Sequence, residues 1–326
     1  FTLVGFSQTT LIPDPNFEQA LIDLGYDTAP INGSVPTANI SSVTYLDVGY
    51  RDISDLTGVE DFTALNYLYC NDNQLTSIDV TNNTVLFQLD CRGNQLTSID
   101  ISQNTALTYL VCPDNQLTNI DVSNNTALTG LRCSNNQLTS LDLSNNSALT
   151  LLMCFNNQLS SLELNNNLEL GYLECGINQL TSLDLSNNSA LLAFFCESNQ
   201  LSSLDVRNGN NTDVDVMGST NNPNLTCFYV DDADYSNANW TNIDPASTFV
   251  ENEAECEALS IGDNALELDV FIYPNPTDDY LFIEGNKNPI AVSIYNLLGA
   301  EVITKSATDK INVSELSKGV YIIRIS

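Results

Sequence analysis

Apolar and polar residues follow a pattern in this chain that returns every 21 residues. The repeat runs from residue 63 to about residue 209, and residues 105–125 (TALTYLVCPDNQLTNIDVSNN) form a representative unit. A fixed period of this length predicts a solenoid, in which each coil can bury its apolar side only against neighbouring coils. Two residue types mark the register in all seven units: Cys70, Cys91, Cys112, Cys133, Cys154, Cys175 and Cys196, and Asn73, Asn94, Asn115, Asn136, Asn157, Asn178 and Asn199.

Each unit contains two short stretches in which inward and outward positions alternate, as in β-strands. In the first unit we expect Leu68 and Cys70 to point inward and residues 67, 69 and 71 to point outward. Residues 77–80 predict a second strand on another face. A coil of this length leaves no room for a helix as well. We therefore predict a mostly β solenoid whose coils lie about 4.8 Å apart.

Flanking segments are expected to cap the solenoid. Residues 8–40 would form the N-terminal cap, which contains one amphipathic helix within residues 13–25. Asp14 is its predicted N-cap, and Phe17, Leu21 and Leu24 would share its buried face.

The solenoid itself is assigned to residues 41–230 and begins with an atypical unit at residues 43–62, whose apolar positions lie 22 instead of 21 residues before those of the next unit. The eighth coil breaks down near residues 210–222, and residues 224–230 are predicted to be the last strand. Residues 231–262 would form the C-terminal cap. Cys227 and Cys256 lie outside the cysteine ladder, and in an exported chain they are expected to form a disulfide.

The repeat LxxLxCxxNxLxxLDLS resembles the leucine-rich repeat, specifically its short bacterial form with a second strand nested in each unit. Seven consecutive units carry the motif, and the resemblance covers about half of the chain. It implies the solenoid fold that the period predicts.

The C-terminal residues have a different character. After a predicted linker at residues 263–269, short apolar segments separated by turn residues predict a small antiparallel β-sandwich over residues 270–326. The predicted strands are residues 270–273, 280–284, 291–295, 301–304, 311–313 and 320–325.

Three phrases of this segment, YPNPTDDYLFIEG, VSIYNLLGAEV and ELSKGVYIIRI, resemble the type A C-terminal sorting domain of the Bacteroidota type IX secretion system. The resemblance implies translocation across the outer membrane by that machinery. Removal of the domain, followed by attachment to surface lipopolysaccharide or release, is then expected.

The net charge of −32 limits the partners that the protein can have. Residues 1–262 carry 32 acidic and only four basic groups, so nucleic acid and anionic membrane surfaces would be repelled. Residues 1–7 (FTLVGFS) are interpreted as the end of a secretory signal peptide. No other segment reaches the roughly 18 apolar residues of a membrane-spanning helix. We expect a secreted or outer-membrane surface protein.

Candidate catalytic groups are few. The chain contains no histidine, which excludes Ser-His-Asp and Cys-His arrangements, and it has no phosphate-binding glycine loop. The 41 acidic residues leave a catalytic carboxylate pair of the glycosidase type as an alternative. The repeat argues against it, because it spreads carboxylates evenly instead of isolating two of them in a cleft. The ladder cysteines are expected to be core side chains. We predict a non-enzymatic protein without a cofactor.

A row of carboxylates recurs on the second predicted strand. Stacked like charges repel, so water and salt, turn hydrogen bonds or bound Ca²⁺ must offset them. One carboxylate per coil supplies few of the roughly six to eight oxygens that Ca²⁺ prefers, so a solvated row is favoured and Ca²⁺ is the alternative. The row, which is also the candidate metal site, consists of Asp79, Asp100, Asp121, Asp142, Glu163, Asp184 and Asp205.

Outward positions of the first strand differ strongly between units, whereas those of the second strand are nearly uniform. Relaxed constraint alone would have diversified both sets, so variation on one face, towards aromatic residues, indicates a recognition surface. Drift on a less restricted surface is the alternative explanation. We call this surface the variable face, and its candidate ligand-binding residues are Tyr67, Tyr69, Asp90, Arg92, Tyr109, Val111, Arg132, Leu151, Met153, Phe155, Tyr172, Glu174 and Phe195.

The sequence therefore predicts an exported recognition or adhesion protein that binds a protein or glycan through the variable face. The alternative is a structural or Ca²⁺-binding component of the cell surface that depends on the regular rows.

Overall fold

The computed structural model describes residues 8–262, 271–277, 279–284, 291–306 and 310–325. They belong to two compact units, Phe1–Cys256 and Glu257–Ser326. The boundary lies shortly before residue 263, where the acidic composition ends. The predicted signal-peptide remnant (residues 1–7) and linker (residues 263–269) fall outside the described residues.

Every described strand of the first unit is three residues long, and turns and loops connect the strands. In chain order its elements are β1 (Thr9–Leu11), α1 (Pro15–Asp23), β2 (Ser34–Pro36), α2 (Thr37–Ile40), β3 (Tyr45–Asp47), β4 (Tyr67–Tyr69), β5 (Gln88–Asp90), β6 (Tyr109–Val111), β7 (Gly130–Arg132), β8 (Leu151–Met153), β9 (Tyr172–Glu174), β10 (Ser182–Asp184), β11 (Ala193–Phe195), β12 (Ser203–Asp205), β13 (Val216–Gly218), β14 (Cys227–Tyr229), α3 (Ala233–Asn239) and β15 (Thr248–Val250), with 3₁₀ turns at Val59–Asp61 and Asn211–Asp213. The helix α4 (Glu253–Gly262) begins in this unit, and its residues after Cys256 belong to the second unit.

The N-terminal cap contains the predicted helix. Asp14 accepts hydrogen bonds from the backbone amides of Asn16 and Phe17, at 2.8 and 3.1 Å, and so caps α1. Phe17 and Leu21 are fully buried. Leu24 does not share their face and is exposed, because it is the C-cap residue beyond the last helical turn.

Nine parallel strands form the main sheet, in the order β3-β4-β5-β6-β7-β8-β9-β11-β13. Equivalent residues stack in register, so that Leu110 pairs with Leu89 on one side and with Leu131 on the other. Inward leucines and the ladder cysteines are fully buried in one continuous core. The predicted mostly β solenoid is confirmed, and the atypical first unit and one further unit extend the sheet beyond the seven regular coils.

The second strand is less regular than predicted. Strands on this side occur only as β10, β12, β14 and β15, which form a parallel sheet. In the earlier coils the extended segment makes only an isolated bridge, between Asp79 and Asp100. The carboxylate at the end of the segment accepts a hydrogen bond from the amide two residues later, which starts a turn, and the same turn follows β10 and β12.

The C-terminal end of the solenoid extends beyond the predicted last strand at residues 224–230. β15 pairs in parallel with β14 and adds one more coil. Trp240 packs between Phe194, Phe228 and Phe249, with ring centroids 5.9–6.0 Å away. These aromatic side chains close the core where the leucine pattern ends.

Two asparagine ladders connect the coils. The Nδ2 atom of Asn115 donates to three carbonyls, including that of Cys91 in the preceding coil, and its Oδ1 accepts from the amide of Leu96. The predicted ladder therefore bonds to the previous coil. A second ladder, which the sequence analysis did not identify although it has the same 21-residue spacing, consists of Asn83, Asn104, Asn125, Asn146, Asn167 and Asn188, all fully buried.

The C-terminal unit contains two three-stranded antiparallel sheets, in the orders β16-β17-β20 and β19-β18-β21. Their inward side chains, including Leu281, Val292 and Ile294, form a separate small core. The predicted antiparallel sandwich is confirmed, and all six segments are strands: β16 (Phe271–Tyr273), β17 (Tyr280–Glu284), β18 (Ala291–Asn296), β19 (Glu301–Ser306), β20 (Lys310–Asn312) and β21 (Tyr321–Ile325).

Among the described residues, no helix combines the length and the apolar character that crossing a membrane requires.

Candidate functional site

The variable face is the outward side of the nine-stranded sheet. In β6, Tyr109 and Val111 face outward while Leu110 between them is fully buried. The predicted ligand-binding residues all lie in strands β4–β9 and β11 or, for Arg92 and Phe155, two residues beyond a strand. The structure therefore brings the predicted residues onto one side of one sheet.

The face is less exposed than its outward orientation predicts. Tyr67 is 40% exposed, but Val111 is 5% exposed and Asp90 only 1%. Strands in a sheet lie about 4.8 Å apart, so large side chains of one coil cover smaller ones of the next. An outward orientation therefore does not ensure exposure: Asn71, Asp90, Val111, Gly130 and Gly176 are all buried.

Three tyrosines cluster at the N-terminal end of the variable face. The ring centroid of Tyr45 lies 5.4 Å from that of Tyr69 and 6.4 Å from that of Tyr67. Tyr45 is 52% exposed. The repeat pattern does not predict Tyr45 as part of the face because its unit is atypical, although its spacing of 22 residues from Tyr67 places it in the same row. A second aromatic pair, Tyr172 and Phe195, lies nearer the other end, with centroids 6.0 Å apart.

Glycines at the centre of the face make room for aromatic rings. The Tyr109 ring lies over Gly130 of the next coil, so that a Cβ atom at Gly130 would overlap it. Phe155 lies against Gly176 in the same way, although less tightly. Large and small residues are thus paired across neighbouring coils, a packing relation that no single repeat reveals. Leu151 and Met153, both partly buried, lie between these two aromatic side chains in sequence.

The two arginines of the face differ in their partners. The Nε atom of Arg92 donates to Oδ1 of Asp90 at 3.0 Å, and the buried Asp90 carboxylate is thereby paired. Arg132 makes no ion pair with any described residue. Its Nε atom is buried and, like the buried Oγ of Ser134, lacks a hydrogen-bond partner among the described residues.

Acidic residues lie on the C-terminal side of Arg132. Burial and the neighbouring Glu197 carboxylate raise the pKa of Glu174, and Arg132 only partly opposes this shift. Burial, reinforced by the Glu174 charge, raises the pKa of the Tyr172 phenol. Arg132 is therefore close enough to influence these groups, but it does not form an ion pair with them.

The carboxylate row on the other side of the coil is stabilised locally. Hydrogen bonds from the Ser123 hydroxyl and backbone amide lower the pKa of Asp121. Equivalent turn hydrogen bonds lower the pKa of Asp79, Asp100 and Asp142. Turn hydrogen bonding is thus one of the three predicted ways in which the stacked charges are offset.

The remaining members of this row follow a similar pattern. Asp184 accepts a hydrogen bond from the Ser186 amide at 2.9 Å, and Asp205 is paired with Arg207. Glu163 is exposed. In the part of the chain that the structure describes, no group of three or more histidine, cysteine or acidic side chains has the arrangement of a metal site.

Cysteines divide into a disulfide and a buried ladder. Cys227 and Cys256 are bonded to each other, as predicted, with Cα atoms 5.7 Å apart. The seven ladder cysteines are free and fully buried. Burial raises the pKa of the Cys91 and Cys133 thiols to about 12. The ladder thiols are therefore protonated core side chains.

Comparisons with known proteins identify both units. Residues 271–326 match a family described as the secretion system C-terminal sorting domain. A search of curated protein sequences gives no significant match. Among solved structures, internalin C2 of Listeria monocytogenes is similar at 22% identity over 66% of this chain and 97% of that chain, with a TM-score of 0.58.

Two further solved structures are similar to this chain. A leucine-rich-repeat protein of Leptospira interrogans is 19% identical over 70% of this chain and 61% of that chain, with a TM-score of 0.54. The functional domain of InlJ from Listeria monocytogenes, which is described as including a cysteine ladder, is 24% identical over 74% of this chain and 70% of that chain, with a TM-score of 0.37. The protein is thus a leucine-rich-repeat solenoid followed by a secretion system C-terminal sorting domain, which marks it as secreted or displayed at the cell surface.

Proposed function

We propose that this protein is an exported, non-enzymatic recognition protein that binds a protein partner through the variable face. The C-terminal domain is its export signal for the secretion machinery, and adhesion is the cellular consequence when the protein stays at the surface. The proposal rests mainly on where the repeats differ from one another.

The contrast between the two sides of one coil supports this function. The carboxylate side repeats nearly the same residues in every unit, and its charges are stabilised by local turns. The variable face instead combines exposed tyrosines, partly buried apolar side chains and an unpaired arginine on one sheet. Aromatic residues and arginine dominate the binding energy of protein interfaces, which favours a protein partner.

A binding experiment with the full chain tests the proposal. Phage that display random peptides are selected on the wild-type protein, and the selected clones are then tested on the Tyr109→Ala/Phe155→Ala variant. We expect these clones to lose binding, because both rings belong to the centre of the face. Thr118→Ala/Thr139→Ala, which changes two exposed residues outside the face, is the matched control.

Thermal unfolding of each variant verifies that it is folded. Clones that bind the aromatic variant as well as the wild type would contradict the proposal, as would a selection that enriches no clone on the wild type. A glycan array run in parallel checks the partner class. Glycan binding that is lost in the same variant would support the variable face as the binding site, but it would show that the ligand is a carbohydrate and not a protein.

A further inference from the structure

Arg132 occupies an unusual position in a strongly acidic molecule. Residues 1–262 contain four arginines against 32 acidic residues. Three of the arginines are paired, Arg51 with Asp23, Arg92 with Asp90, and Arg207 with Asp205 and Glu253. Arg132 has no ion pair among the described residues, although acidic groups outnumber basic ones eightfold in this segment.

The guanidinium of Arg132 is incompletely solvated in the free protein. Arg132 is partly buried, and its Nε–H is buried without an acceptor among the described residues. Two positions further along, on the same side of the coil, the Ser134 hydroxyl is also buried without a partner. A buried polar group without a hydrogen bond is unfavourable. The buried Nε–H is out of reach of a partner, whereas the terminal nitrogens of the guanidinium are not buried in this way and can contact an acceptor from outside.

Nearby carboxylates do not meet this need. Asp90 is held by Arg92, and Glu174 forms no ion pair with Arg132. The side chains of neighbouring coils at the outward positions are mainly apolar: Tyr109, Val111, Leu151, Met153 and Phe155. A charged group among apolar side chains at the centre of a surface is the usual composition of an interface hot spot.

We propose that the guanidinium of Arg132 binds the carboxylate of an aspartate or glutamate side chain of a protein partner. Apolar side chains next to that carboxylate pack on Tyr109, Leu151 and Phe155. The inference rests on the proposed function and specifies its partner: a protein segment with one acidic residue between apolar ones.

The surroundings favour a protein segment over an acidic sugar, which also carries a carboxylate. Partly buried leucine, methionine and phenylalanine side chains gain most by contact with apolar side chains, whereas a sugar would place hydroxyl groups against them. The net charge of −32 repels anions at a distance. Salt screens this repulsion beyond about 8 Å at physiological ionic strength, so a single carboxylate in contact with Arg132 is governed by local interactions.

The test compares peptides selected from the same phage library on the full-length wild type and on Arg132→Glu. Wild-type clones should be enriched in aspartate or glutamate at one position flanked by apolar residues, and clones from the charge-reversed variant should carry lysine or arginine there. Wild-type clones should bind Arg132→Gln about 30-fold or more weakly. Arg132→Lys should bind these clones more tightly than Arg132→Gln but more weakly than the wild type, because lysine keeps the positive charge but cannot form the bidentate hydrogen bonds of a guanidinium.

Arg51→Gln is the matched control, since it removes one positive charge from an exposed ion pair outside the face. A second measurement avoids changes to the protein: replacing the acidic residue of a selected peptide by its amide should weaken its binding to the wild type equally.

The outcomes separate the two proposals. Peptides that lose binding to Tyr109→Ala/Phe155→Ala but lack an acidic residue, and still bind Arg132→Gln, would overturn the role of Arg132 and leave the variable face intact. Peptides that bind both variants as well as the wild type would overturn both proposals. If acidic glycans bind in an Arg132-dependent way and no peptide shows Arg132-dependent binding, the proposal that the partner is a protein would be overturned.

Discussion

Arg92 and Arg132 lie on the same face, but their surroundings differ, so that replacing each of them should affect the stability of the protein differently. The Arg92 guanidinium pairs with the carboxylate of Asp90, which is 1% exposed. Arg132 pairs with no described group. Removing a partner from a buried charge is costly, whereas removing an unpaired charge is not. The pattern of the repeat predicts the position of both residues but not this difference.

We expect Arg92→Gln to lower the free energy of unfolding by about 1–3 kcal/mol, because it leaves the buried Asp90 carboxylate without its cation. Arg132→Gln should change it by no more than about 0.5 kcal/mol. Urea denaturation of both variants measures the difference. Equal losses would mean that Arg132 has an intramolecular partner and would weaken the argument for an external carboxylate.

The cysteine ladder gives a second residue-level prediction. All seven free thiols are buried, and burial raises the pKa of Cys91 and Cys133 to about 12. Iodoacetamide reacts with thiolates, so the folded protein should remain unmodified at mildly alkaline pH. After unfolding without reductant, mass spectrometry should detect seven modified cysteines, and all nine after reduction. Modification of a ladder cysteine in the folded protein would contradict its core position.

Within one coil, the two asparagine ladders stabilise the solenoid to different degrees. Asn115 uses both ends of its amide, with three donated hydrogen bonds and one accepted. Asn125 donates two hydrogen bonds, while its Oδ1 is buried without a partner among the described residues. A coil therefore depends more on the first ladder than on the second.

Asn115→Ala should cost about 2–4 kcal/mol of stability, and Asn125→Ala about 1–2 kcal/mol, because fewer backbone groups lose a partner. Asn124→Ala, at an exposed position that donates one hydrogen bond, is the control and should cost less than either. Denaturant unfolding gives all three values. The reverse order of Asn115 and Asn125 would show that their hydrogen bonds do not determine coil stability.

For the whole molecule, the dominant property is its negative charge. Repulsion among 32 acidic residues and only four basic ones in residues 1–262 destabilises the compact state. Local turns hold the aspartates of the row on their own coils, and Glu163 is exposed. Screening by any salt should therefore stabilise the solenoid.

We expect NaCl and CaCl₂ at equal ionic strength to raise the melting temperature by similar amounts, apart from the stronger general screening by a divalent ion. Thermal unfolding of the wild type and of Asp121→Asn measures this, with EDTA-treated protein as the reference. A much larger rise with CaCl₂ that disappears in Asp121→Asn would support the alternative of a Ca²⁺-dependent structural component instead.

The repeat by itself determined the solenoid, its register and its inward residues, because a 21-residue period allows only one stacking in which the ladder cysteines and the repeated inward leucines are all buried. Outside the repeat, the short apolar segments and turn residues predicted the sandwich strands, and the position of Cys227 and Cys256 outside the ladder predicted their disulfide. The irregular units were harder to predict from the sequence, since β13 and β15 carry no complete repeat and are positioned by pairing with neighbouring strands.

Relations between coils were decided only by the tertiary structure. The close approach of Tyr109 to Gly130 and the lack of a partner for Arg132 among the described residues each depend on side chains from coils that a linear pattern treats separately. The sequence located the variable face because alternation turns it outward. Stacking at about 4.8 Å determines which of its side chains are covered, paired or left available for a partner.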